Sequence, residues 1–159
     1  MDEKIRKQLA SSLMGQGAHV SFKKAVHDFP YKLAGVKPEK LDHSAWSIVF
    51  HIHMAQKDIL EFSRNKDHIS PDFPSGYWSE TMDPPSKNIW DKTIKEIFKD
   101  TDEMAALISN PENDLFIPFP WGNGQNLFRE AVILLDHNSY HTGQLVDLRM
   151  LLGLAPNDL

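Results

Sequence analysis

Residues 125–153 read QNLFREAVILLDHNSYHTGQLVDLRMLLG, and the period of their apolar positions decides the fold class. Leu134, Leu145, Leu148 and Leu152 fall on one line of an α-helix, which predicts a helix from about Gln125 to Leu152. Gly153 supplies the stop. His141 projects onto that same line, and His137 lies about 40° to one side of it. The most apolar face of this helix therefore carries two imidazoles, one turn apart.

Burying two imidazoles without partners costs free energy. Two arrangements remove the cost, and spacing alone leaves both open. The pair either bonds to backbone and polar neighbours in the core, or it holds a divalent metal, for which neutral imidazole is a common nitrogen ligand. The H-E-x-x-H protease pattern is excluded, because position 138 is Asn.

A catalytic metal needs a third protein ligand. A second long helix, predicted from about Ala45 to Arg64 with Ser44 as its N-cap, contains WSIVFHIHMAQKDIL at residues 46–60. Its apolar stripe is Ile48, Ile52, Ala55, Ile59 and Phe62. His51 projects about 60° from the stripe centre and His53 about 140° away, so His51 faces the core edge and His53 faces out. His51 is the better ligand. Asp58 projects near it but two turns along, which suits a supporting or surface charge. Three nitrogens from His51, His137 and His141 suit zinc or nickel, with iron as a further candidate, and they leave a position for water or substrate.

The remaining segments fit an all-α chain. A first helix spans residues 2–13, with Gly15 and Gly17 as stops, and a short helical piece spans Ser21–Phe29. Another long helix is predicted from Pro84 to Ser109, capped by Asp83. No strand pattern occurs. The economical architecture is an up-and-down, mostly antiparallel four-helix bundle with extra short helices, forming a single domain over residues 1–159.

Composition narrows the chemistry. The chain has no cysteine, so disulfides, thiolate ligands and a cysteine nucleophile are absent, and any thiol must come from a substrate or cofactor. The net charge is −5 with no basic stripe, which disfavours nucleic acid. No stretch approaches the ~18 apolar residues of a membrane span, and the N-terminus has no apolar signal region, so a cytoplasmic location is expected. His19, His27, His43 and His68 sit in loops or at helix ends and are expected to be exposed or capping. Tyr77, Trp78, Phe116, Phe119 and Trp121 gather in two loops, where they either roof a pocket or plug the bundle end. Trp78, Trp121 and Asn138 are the candidate substrate contacts. Gln56, Asn138, Tyr140 and Gln144 are candidates for orienting an imidazole or a bound water.

The segments WSIVFHIHMAQKDILEFSRN, SPDFPSGYW, FPWGNGQNLFREA and DHNSYHTGQLVDLRMLLG together resemble the DinB-like (YfiT-like) family of four-helix-bundle metalloenzymes, and GAHVSFKKAVHDFP is similar too. The resemblance implies three metal-binding histidines, which match His51, His137 and His141, with His53 as the neighbour if the register shifts. It also implies a homodimer, zinc or nickel, and for some members a small-thiol reaction using bacillithiol or mycothiol. It does not imply DNA binding. The expected function is a metal-dependent S-transferase or hydrolase acting on a small molecule. The alternatives are a non-catalytic dimeric metal- or ligand-binding protein and a metal-free interaction scaffold.

Overall fold

Ser44, Ser86 and Asn126 each accept a hydrogen bond from the backbone N–H three residues on, at 3.2, 3.2 and 2.9 Å, and a long helix starts after each. The computed structural model describes residues 2–154. Met1 and residues 155–159, the two ends of the single-domain reading, lie outside the described residues. The order is α1 (Asp2–Leu13), α2 (Phe22–Val26), a 3-10 turn (Tyr31–Leu33), α3 (Ala45–Arg64), a second 3-10 turn (Ser75–Tyr77), α4 (Lys87–Ser109) and α5 (Leu127–Leu151). There is no strand among the described residues, so the chain is all-α. No helix there is long and apolar enough to cross a membrane. Gly15 and Gly153 end α1 and α5 with φ of +80° and +70°, a region that favours glycine.

Two expectations are corrected. First, α4 begins at Lys87 under a Ser86 cap, not at Pro84 under Asp83. Pro84 and Pro85 each disfavour the helical region in the residue before them. Asp83 instead packs against Gly35, where an added Cβ would come within 1.7 Å of its Oδ1 and 2.9 Å of its Cα.

Second, the long helices do not simply alternate in direction. Trp46 meets Trp90 with ring centroids 6.5 Å apart, Gln56 Nε2 donates to Thr101 Oγ1 at 3.0 Å, and Arg64 pairs with Glu103. Both sequence numbers rise together, so α3 and α4 run parallel. A parallel pair needs a connection that travels back along the molecule. Residues 65–86 are that connection, and their course carries Tyr77 and Trp78 over α3.

The apolar core falls into two clusters. One gathers Trp46, Ile48, Ile52, Trp90, Leu145 and Leu148; the other gathers Leu60, Met104, Ile108, Leu127, Ala131 and Leu134. Along α3, α4 and α5 the chain switches clusters between residues 52 and 60, 97 and 104, and 134 and 145. The interval holds Gln56, Thr101, His137, Asn138 and His141, and His51 borders it on α3. A polar layer therefore crosses the middle of the molecule.

Arg6 locks α1 onto the end of α4. It is buried and donates to the carbonyls of Ile108, Asn110 and Asn113 at 2.8, 2.9 and 2.7 Å. These carbonyls belong to the last turn of α4 and the loop after it, where backbone acceptors lack helical partners. Arg6→Ala removes all three bonds and leaves the buried Ile108 carbonyl without this donor. It is expected to cost about 2–3 kcal/mol, read as a fall of roughly 4–10 °C in melting temperature.

Candidate metal centre

α3 and α5 cross so that His51 faces His137 and His141. The Nε2 atoms of His51 and His137 are 3.0 Å apart, and one ligand atom from each of the three residues lies within 4.8 Å of the others. The three ring centroids are 4.5–4.9 Å from one another. These three histidines can hold a metal ion.

The other ring nitrogens show how the lone pairs point. His51 Nδ1 lies 3.1 Å from the Tyr77 carbonyl oxygen, His137 Nδ1 lies 3.2 Å from Asn138 Oδ1, and His141 Nδ1 lies 2.7 Å from Gln144 Oε1. Every Nδ1 faces an oxygen acceptor, so the N–H belongs there and each Nε2 keeps its lone pair. Two such lone pairs 3.0 Å apart repel unless a proton or a cation accepts them. A donor set of three neutral imidazoles, each steadied through its second nitrogen, is the chemistry of nitrogen-ligated divalent metals.

Burial keeps the rings neutral. It lowers the His51 and His137 pKa values below the ordinary range and is the largest cause for both. His141 falls to about 4, again mainly through burial, with the charges of His137 and His51 adding to the effect. At neutral pH no proton must leave these nitrogens before a metal enters.

A stack of rings closes one side. Trp78 lies on His51 with centroids 3.9 Å apart and planes 2° from parallel. His43 lies on the opposite face of Trp78 at 4.2 Å and 13°. Asp58 anchors this roof: its Oδ2 accepts from the Tyr77 hydroxyl at 2.7 Å and its Oδ1 lies 2.7 Å from His68 Nε2. Burial and then the Asp58 contact raise the Tyr77 pKa to about 12, so the phenol stays a donor. Asp58 thus fixes the Tyr77 carbonyl that orients His51, while standing apart from the metal-facing nitrogens.

The structure brings together His51, His137, His141 and Trp78 from the expected set. It does not bring Trp121. That indole donates to the Phe62 carbonyl at 2.9 Å and stacks on Phe119, about 16 Å along α3 from His51. Phe119 packs against the second core cluster there, and Trp121 stays partly exposed. Asn138 is already engaged, because its Nδ2 donates to Gln56 Oε1 at 2.7 Å and its Oδ1 faces His137. Its contact in this site is with the His137 ring. Gln144, weighed from the sequence only as one of several, supports His141.

His43 and His68 are not merely exposed or capping, since one joins the ring stack and the other bonds Asp58. His53 does not face out. It is buried against α4, with Nε2 3.4 Å from Glu96 Oε2 and Nδ1 4.0 Å from Asp100 Oδ2. His53 Nδ1 and Asp100 Oδ2 both lack hydrogen-bond partners.

The Asp100 carboxyl has a measurable consequence. Burial, with Glu103 nearby, pushes its pKa up to about 6 from an ordinary 3.8. The folded chain then holds this proton more tightly than the unfolded chain does. The associated stability is complete below about pH 4 and is lost as pH rises through 6. Asp100→Asn is expected to stabilise the protein by about 1–3 kcal/mol at pH 7. The gain should vanish below about pH 4 in urea unfolding measured across pH.

Comparison with protein-family models, with curated proteins and with solved structures finds no match for the chain.

Proposed function

We propose that the chain is a metal-dependent enzyme of the DinB-like type, with zinc or nickel held by His51, His137 and His141. The carrying observation is that all three Nδ1 atoms face oxygen acceptors while the Nε2 atoms converge. The arrangement of α1, α3, α4 and α5 supports reading them as the four helices of such a bundle, with α3 and α4 parallel. Exposed Val132, Tyr140, Met150 and Leu151 on α5 support a homodimer formed through that helix.

When bound, the metal would lower the pKa of a thiol or water in the position that the histidines leave open. The protein's own residues do the remaining work. Tyr77, Asn138 and Gln144 orient the imidazoles, and Trp78 with His43 shields one face of His51. Among the described residues no carboxylate touches the three histidines, and Asp58 is engaged by Tyr77 and His68. A hydrolase would want a general base there. A thiol donor needs none once its proton is acidified, so transfer of a small thiol such as bacillithiol to an electrophilic carbon is the preferred reaction. The sulfur–carbon bond forms, the leaving group departs with its electron pair, and the thiol proton passes to solvent.

The same lack of a base is what a non-catalytic metal- or ligand-binding dimer would show, and this is the second reading. Loss of thiol in the presence of 1-chloro-2,4-dinitrobenzene separates the two. Zinc- or nickel-loaded protein should consume bacillithiol or glutathione at least about tenfold faster than metal-free protein. Equal rates with both thiols would favour the binding protein.

A further inference from the structure

Behind the polar layer, on the side of α5 away from the histidines, lies a second hollow. The C-terminal end of α1, the strap into α2 and the facing sides of α4 and α5 line a half-open cavity of about 400 Å³. None of His51, His137 and His141 lines it. Its volume lies within the roughly 300–1,000 Å³ of sites that hold small organic molecules.

The walls are mainly apolar. Phe22 and Phe98 form an aromatic wall with centroids 5.7 Å apart, and Ile97 and Leu135 extend it. One buried polar side chain in the wall has no partner. Thr142 is 3% exposed and lines the cavity, and its hydroxyl, bonded to no described side chain or carbonyl, is reached from the cavity rather than sealed in the core. Ser63, Thr93 and Thr101 show the usual outcome, since each donates to the carbonyl four residues back on its helix. Thr142 is left to bond something that enters the cavity. His19 ties the strap to α5, with Nε2 2.8 Å from Ser139 Oγ and Nδ1 2.8 Å from the Val20 carbonyl. The charged lining residues are Lys23 and Asp102, one of each sign, so the site favours a neutral occupant.

We propose that this cavity binds a neutral, largely apolar small molecule, aromatic or alicyclic, that carries one hydroxyl or amide group for Thr142. The site is separate from the metal centre but linked to it. Asn138 lines the cavity and also bonds toward His137, so an occupant that shifts Asn138 is felt at a metal-binding histidine.

2-Naphthol is a suitable probe, with its fluorescence titrated by EDTA-treated protein and then by zinc-loaded protein. Wild type should bind saturably at one site. Thr142→Val should weaken binding about tenfold by removing the bonding hydroxyl. Leu135→Trp, which fills the cavity, should abolish it, and Trp78→Ala on the metal side should leave it unchanged. If Leu135→Trp fails to fold, the near-isosteric Thr142→Val still decides. No saturable binding by wild type, wild-type affinity in both cavity variants, or loss of binding in Trp78→Ala would overturn the proposal. Zinc should change the Kd for 2-naphthol, and identical values with and without zinc would remove the link through Asn138. The first titrations use metal-free protein, so their failure is distinct from failure of the metal reading.

Discussion

His141→Ala is expected to abolish stoichiometric binding of zinc or nickel, while His53→Ala leaves it intact. His141 is buried on α5, its Nδ1 is held by Gln144, and its pKa near 4 keeps it a free-base ligand at neutral pH. Removing it leaves two imidazoles, and the apparent affinity should fall by at least about a hundredfold. His53 lies two residues from His51 but packs against Glu96 and Asp100 on α4. Its loss should change stability, not metal uptake. Isothermal titration of tag-free protein reads both variants, and loss of the metal from His53→Ala would show that the wrong α3 histidine has been assigned.

Gln56→Met is expected to damage the fold and the site together. Gln56 has no exposed surface and makes three hydrogen bonds. Its Nε2 donates to the Ile97 carbonyl at 2.6 Å and to Thr101 at 3.0 Å, and its Oε1 accepts from Asn138 at 2.7 Å. Methionine fills similar volume but leaves the half-buried Asn138 amide without its acceptor and removes both bonds from Gln56 to α4. Losing these bonds costs about 1–3 kcal/mol, which lowers the melting temperature by roughly 2–10 °C. Asn138 also loses the bond that holds it toward His137, so metal affinity should fall about 10–100-fold. Stability lost with full metal affinity would mean that Asn138 does not position His137.

Much of this was readable from particular residues. Ser44 and the stripe on α3 give its bounds, and the row of Leu134, His141, Leu145 and Leu148 gives the inward face of α5. The reading of His53 failed for a physical reason. An apolar stripe marks only the most hydrophobic direction of a helix, and α3 is covered by both α4 and α5, so a second face is buried as well. Helix direction is not written in periodicity. The signal for the parallel α3–α4 pair was the length of residues 65–86, which a tight antiparallel connection would not need. Trp78 and Trp121 look alike as loop tryptophans, and only the path of that crossover puts Trp78 on His51. The polar layer did leave a trace. Gln56 sits on the same helical row as Ile52 and Leu60, both fully buried, and a polar residue in that place must bond across the core.

X-ray absorption at the zinc edge of tag-free, zinc-loaded protein tests the central claim most directly. Three imidazole nitrogens at about 2.0–2.1 Å, with one metal per chain, is the expected result. A shell fitted by oxygen with one imidazole or none, or metal below about 0.2 per chain after loading, would contradict a site built from His51, His137 and His141.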